Sequence, residues 1–348
     1  MVGRGAGVFL EKMTIQNWPL YSLCNKIWYL WKRNNWIVYP KRFFSKYADV
    51  VIDRPVFVVG NQGDGLTLVA RMLRHHSNVI SITGGSNYWS GADEIQNVMK
   101  YRLPSCLTLY GQCLENLQAD ERMTPPFSWA YGCDSLLPAF REHEDGYSDE
   151  TAEKLKLVIR ESLHRFGAGG KERRFVDKSQ SYTIRMAFIN ALLREQNPFF
   201  VYISRNPYAS CYRAAIGKAG DMRRYASTMR LDERFEICVQ HWINSFKAII
   251  EDKEKVQHFT MMKFEDFLEQ PEASVKRLCD FTGLSFQPDM IPHEEHTIPF
   301  GNKFRERWYP LNTNVNQRYL DEIPAKYIEI LNNRCQDYIE LLKYDVLK

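Results

Sequence analysis

Four short, mostly apolar runs punctuate the chain without polar alternation: Val56–Val59, Arg174–Val176, Phe199–Ser204 and Phe259–Met262. Continuous hydrophobicity over so few residues predicts strands buried on both faces, as in a parallel sheet. Helical periodicity fills the intervals. Leu66 to Arg74 follows the first run, and Ile184, Phe188, Ala191 and Leu192 repeat at helical spacing until Asn197-Pro198 ends them. PEASVKRLCDFTGLSF has Pro271 near a helix start and Gly283 just past its end. Strand and helix in alternation predict an α/β domain with right-handed crossovers. From residue 84 to about 150 the period is lost among aromatic, proline and polar residues. That stretch reads as an insertion on the substrate side, where recognition loops sit.

The first 50 residues form a different pattern. In WPLYSLCNKIWYLWKRNNWIVYPKRFFSKY, Leu20, Leu23, Ile27 and Leu30 keep helical spacing among Trp18, Trp28, Trp31 and Trp36, with Lys26, Lys32, Arg33, Lys41 and Arg42 beside them. A basic, tryptophan-rich amphipathic segment suits the surface of an anionic membrane; a helix packed on the main domain is the alternative. Residues 51–348 then form one α/β domain, 84–150 being its insertion. No apolar run reaches transmembrane length and no signal-peptide pattern opens the chain, so a cytoplasmic protein with peripheral membrane contact is expected.

Composition adds limits. Of 348 residues 45% are hydrophobic and 25% charged, values that support a substantial core. The net charge of +4, from 46 basic and 42 acidic residues, admits an anionic ligand without calling for nucleic acid. The eight cysteines form no CxxC pair and no zinc spacing, so reduced thiols and no metal are expected.

The candidate chemistry begins at VFVVGNQGDGLTLVARML. Its loop, Gly60, Asn61, Gln62, Gly63, Asp64, Gly65, Leu66 and Thr67, has three glycines that let backbone N–H groups approach a ligand, and it opens a helix whose first amides are unpaired. That is the setting of a phosphate loop. The Lys-Ser/Thr of a nucleotide-hydrolysing loop is replaced by Leu66-Thr67, which disfavours a P-loop kinase. In FFVYISRNPYASCYRAA, Arg205 stands at a strand's carboxyl end, where open parallel sheets bind ligands, and can fork onto a phosphate; Ser210 and Arg213 follow within the next turns.

These two motifs are accompanied by FVDKSQSYTIRMAFINALL, by MMKFEDFLEQPEASVKRLCDFTGLSF, and by the closing NKFRERWYPLN and KYIEILNNRCQDYIELLKY. In this order the chain resembles the sulfotransferases that use 3′-phosphoadenosine 5′-phosphosulfate (PAPS), from about Arg54 to Tyr344. The resemblance implies a three-layer α/β/α domain with a central, mostly parallel sheet of the P-loop NTPase-like kind, with helical insertions. It implies PAPS as co-substrate without metal, a 5′-phosphosulfate loop at residues 60–67, a 3′-phosphate motif at ISRNPYAS with Arg205 and Ser210, cofactor contact from Arg213 as well, and a lid containing Lys303, Arg305, Arg307 and Trp308. It also implies a hydroxyl acceptor, with a carbohydrate or glycolipid expected from the aromatic insertion and the N-terminal segment.

One position departs from the pattern. The family's loop carries Lys or Arg where Gly63 stands, and Ser or Thr where Asp64 stands. Losing a charge-assisted contact made in the transition state costs on the order of 10²–10³ in rate. An added carboxylate repels an anionic cofactor unless backbone N–H groups hold it. Lys178, at a neighbouring strand end, is the leading substitute for the cation; Arg71 and Arg74 lie further along the helix and are the weaker ones. A noncatalytic nucleotide- or anion-binding protein remains the alternative. For the base that takes the acceptor's proton, GGSNYWSGADEIQ offers Asp93 and Glu94, with Tyr88 and Trp89 available to stack on a ring. His75-His76 is a rival, better suited to a structural role at its helix end.

Overall fold

The computed structural model describes residues 47–83, 94–109, 120, 122, 123, 127–166, 173–218, 220–292 and 311–348. Most of the N-terminal segment, Tyr88, Trp89, Asp93, Lys303, Arg305, Arg307 and Trp308 lie outside the described residues.

Five strands build one sheet: β1 (Val56–Val59), β2 (Val79–Ile80), β3 (Arg174–Asp177), β4 (Phe199–Ser204) and β5 (His258–Lys263). Their order is β2-β3-β1-β4-β5 and every pairing is parallel, with Val59 opposite Tyr202 and Ser204 opposite Lys263. The longer helices are α1 (Leu66–Arg74), α2 (Asp149–Phe166), α3 (Met186–Leu192), α4 (Pro207–Arg213), α5 (Leu231–Asp252), α6 (Phe264–Glu269), α7 (Pro271–Thr282) and α8 (Ala325–Leu341).

Alternation along each strand divides the core in two. Val56, Val58, Val201 and Ile203 face Val69, Leu73, Val275 and Leu278 of α1 and α7. Phe57, Val59, Phe200 and Tyr202 face the other side, with Phe188, Trp242, Phe246 and Leu331 of α3, α5 and α8. The result is a three-layer α/β/α fold. Trp129, Tyr131 and Phe140 join this second core, so these described parts of the insertion pack against the domain.

The chain leaves β1 toward β2 and leaves β4 toward β5, in opposite directions across the sheet. The loops after these two neighbouring strands therefore diverge and leave a crevice at the strands' carboxyl ends, where such sheets bind ligands.

Two expectations change in detail. The strand at Val79–Ile80, two residues long, is too short to show in the pattern. The helix expected from Ile184 begins at Met186, and Gln180–Ile184 forms a tighter 3-10 turn. That turn carries the Thr183 hydroxyl to Gly60, where Oγ1 accepts from the Gly60 amide at 2.8 Å and lies 3.0 Å from its carbonyl oxygen.

Candidate active site

The loop after β1 is shaped by glycine. Gly60, Gly63 and Gly65 have φ of 145°, 99° and 90°, a region that L residues rarely adopt. A Cβ at Gly60 would come within 2.5 Å of the Ile203 carbonyl oxygen, and one at Gly65 would run into the Phe264 ring. The neighbouring strand β4 and the first residue of α6 thus press on the loop and hold it against the sheet. Both amide atoms of Asn61 and Oε1 of Gln62 are buried there without a partner among the described residues.

Arg205, at the tip of β4, closes the other side of the crevice. Its Nη1 donates to the Gly63 carbonyl at 2.6 Å and its Nε to Asn316 Oδ1 at 2.8 Å, while the guanidinium lies 5.0 Å from the Phe264 ring centroid. Glu265 steadies this arrangement by accepting from Asn316 Nδ2 at 2.6 Å, from the Asn206 amide at 3.0 Å and from the Tyr344 hydroxyl at 2.9 Å. Asn206 also caps α4, its side chain accepting from the Tyr208 and Ala209 amides. Burial, then repulsion from Arg213, brings the Arg205 guanidinium down to about 10, so it remains cationic at neutral pH. With two nitrogens committed to the protein, Nη2 is buried without a partner among the described residues.

Asp64 is fully buried; a hydroxyl holds it, and the Asn61 backbone amide also favours its carboxylate. Ser210 Oγ donates to its Oδ1 at 2.6 Å, which engages the serine expected on the 3′-phosphate. Burial pushes the Asp64 carboxyl up to about 7, outweighing the Ser210 bond and the charge of Arg205. The folded protein therefore keeps this proton over a range in which the unfolded chain, at the ordinary 3.8, has released it. Asp64's contribution to stability is complete below 3.8 and is lost as pH rises toward about 7. Asp64→Asn is expected to flatten the pH dependence of unfolding in urea across that window. An unchanged slope would assign the dependence to other groups.

Beside Gly63 the space is filled by two side chains. An ideal Cβ there would lie 2.7 Å from Trp129 Cζ2 and 2.8 Å from Arg213 Nη1. The Trp129 amide donates to Asp221 Oδ2 at 2.8 Å, and the Gly132 amide donates to His241 Nδ1 at 3.1 Å. Burial keeps that imidazole neutral, its pKa lowered to about 3.

At the tip of β3, Lys178 Nζ donates to Glu94 Oε1 at 2.7 Å, both side chains being about 5% exposed. Glu94 also accepts from Gln96 Nε2 at 2.9 Å and from Asn97 Nδ2, and the Gln180 amide, turned to satisfy both its ends, donates to both Glu94 oxygens. Asp177 ties this corner together by accepting from the Ile95 and Ser179 amides at 2.9 Å. The expected cation and one of the two expected bases are thus paired with each other. His76 is instead at the far end of α1, with Nδ1 accepting from the Asn78 amide and Nε2 near Ser285 Oγ. Arg71 and Arg74 are buried along α1, away from its loop end.

Sequence reasoning did not single out Thr183, Trp129, Asn316 or Tyr344. Thr183 and Tyr344 lay in motifs already noted, but Trp129 and Asn316 carry no local signal. The six described cysteines are all free, and no cluster of three or more His, Cys, Asp or Glu that could hold a metal occurs among the described residues.

A search of curated protein sequences finds no match. Among solved structures, the sulfotransferase STF9 from Mycobacterium avium is similar at 14% identity and a TM-score of 0.49, over 90% of this chain and 82% of that one. A sulfotransferase domain from the curacin biosynthetic pathway is similar at 15% identity and 0.47, over 85% and 99%. Mouse sulfotransferase SULT7A1, complexed with PAP, is similar at 10% and 0.43, over 84% and 90%. The model of the sulfotransferase family matches residues 55–288, two thirds of the sequence and all five strands. On that match, the chain belongs to the sulfotransferase family.

Proposed function

We propose that this sulfotransferase moves the sulfuryl group of PAPS to a hydroxyl acceptor, with a saccharide or glycolipid as the acceptor class. The observation that carries the reading is the meeting of two strand tips. The glycine loop after β1 and the guanidinium after β4 stand side by side at the sheet's switch point, joined by the bond from Arg205 Nη1 to the Gly63 carbonyl at 2.6 Å. The residues suit a bisphosphorylated nucleotide: the amides opening α1, the unpartnered Arg205 Nη2 and the orphaned Asn61 amide are all unspent polar groups in one crevice. Asp64, protonated below about 7, is no obstacle to an anion there.

The donor supplies an activated sulfur, whose bond to the 5′-phosphate oxygen breaks as the acceptor oxygen bonds to it. Glu94 takes the acceptor's proton, and Lys178 holds that carboxylate in place and brings positive charge to the tip of β3. Glu94→Gln is expected to lower kcat by about 10²–10⁴ with little change in nucleotide affinity. An unchanged kcat would move the base to Asp93 or elsewhere.

Calorimetry without magnesium tests the nucleotide site: adenosine 3′,5′-bisphosphate binds on this reading, whereas a kinase would need ATP with magnesium. Radiolabelled sulfate passing from PAPS to a panel of saccharide and glycolipid acceptors then separates a transferase from a noncatalytic binder. No described helix is long and apolar enough to cross a membrane, and the basic, tryptophan-rich residues 1–50 suit peripheral contact with an anionic surface from the cytoplasmic side. Cosedimentation with and without anionic vesicles checks this.

A further inference from the structure

Three cations meet the crevice, and their surroundings differ. Lys178 is neutralised by Glu94 at 2.7 Å. Arg205 is tied to Gly63 and Asn316. Arg213, the last residue of α4, has no carboxylate, carbonyl or hydroxyl bonded to its guanidinium among the described residues. It nevertheless lies against the glycine loop, with Nη1 2.8 Å from the point where a side chain at Gly63 would begin. It also faces Arg205 closely enough to repel it. Two guanidinium groups thus stand together beside a buried, unpartnered Arg205 nitrogen, with Asp64 and Glu265 the carboxyl groups whose charge reaches Arg205. Both acids are already engaged: Asp64 takes a hydrogen bond from Ser210, and Glu265 takes its bonds from Asn316, Asn206 and Tyr344.

We propose that Arg213 supplies, from α4, the loop cation that Gly63 cannot, and that it contacts the 5′-phosphosulfate end of the donor. The inference rests on the PAPS reading of the site and adds to it an exchange of position. The loop has lost its own basic side chain, and the space this frees is what admits a guanidinium from the neighbouring strand's helix, backed by the Trp129 indole. A longer residue at position 63 would displace both. Arg213 would neutralise the charge that builds on the bridging phosphate oxygen as its bond to sulfur breaks and the acceptor oxygen bonds to sulfur, the acceptor proton passing to the base. Its fork geometry suits a phosphate oxygen pair better than an ammonium group does.

The test separates the two ends of the nucleotide. Affinities of wild type, Arg213→Ala, Arg213→Gln and Arg213→Lys are measured by calorimetry for adenosine 5′-monophosphate, adenosine 3′-monophosphate and adenosine 3′,5′-bisphosphate. Arg213→Ala and Arg213→Gln are expected to weaken the 5′-monophosphate at least tenfold and leave the 3′-monophosphate within about twofold, with Arg213→Lys in between. With PAPS, kcat is expected to fall by about 10²–10³ while KM changes less. Should Arg213→Ala unfold, Arg213→Gln keeps the comparison. A loss confined to the 3′-monophosphate, or equal for both monophosphates, overturns the inference while leaving the site reading intact. Wild type that binds none of the three overturns both.

Discussion

Lys178→Ala is expected to cost about 3–5 kcal/mol of stability and to remove turnover together with it. The lysine and Glu94 are both buried, 2.7 Å apart, so truncating one leaves an uncompensated charge where water cannot solvate it. Gln96, Asn97 and Gln180 soften the loss by donating to the carboxylate, but they carry no charge to balance it. Two measurements separate the structural share from the chemical one. In urea unfolding, Lys178→Ala/Glu94→Gln should recover much of the stability lost by Lys178→Ala, because the orphaned charge is gone. In turnover, the double variant should stay inactive, because base and cation are both missing. A single variant with the wild-type urea midpoint would mean that the pair is open to solvent and contributes as little as a surface bridge.

The second large effect is expected at Gly65. Gly65→Ala places a methyl group 2.8 Å from Phe264 Cγ, and nearer still to the ring edge, on a backbone with φ of 90°. Left-handed backbone costs an L residue about 1–2 kcal/mol, and overpacking about 1–3 kcal/mol more. The ring cannot yield freely, since Phe264 packs in the core on one side and lies under Arg205 on the other. Nucleotide affinity should therefore fall along with stability. Gly283→Ala is the control: its φ is 69°, but its Cβ would meet only the far end of the Arg54 side chain, at 3.2 Å. It should lose the backbone share and keep nucleotide binding. Equal losses in the two variants would show that Phe264 moves aside.

What the sequence made legible follows from how local each signal is. β1 and β4 could be read because a strand buried on both faces needs an unbroken apolar run. α1 and α7 could be read because helix ends obey local rules, down to Gly283 in the left-handed conformation. The glycines of the loop were visible for the same reason. Other features depend on partners far apart in the chain. Glu94 and Lys178 were each picked out, but their pairing spans 84 residues and has no local trace. Asn316 orients Arg205 across 111 residues, and an asparagine in a loop announces nothing of the kind. Asp64 was read as a source of repulsion because sequence gives its charge type but not its burial, and burial decides whether the charge exists.

The dependence of Arg205 on Asn316 and Tyr344 has a consequence for synthesis. Both follow the five strands along the chain, whereas the loop that Arg205 grips precedes all but the first of them. A nascent chain still tethered in the ribosome can pair its strands before these two residues emerge. Nucleotide recognition would then arrive only once the chain beyond β5 has emerged, and chains released early by a stop codon upstream of Asn316 would lack the core side chains of α8 as well as the means to aim the guanidinium.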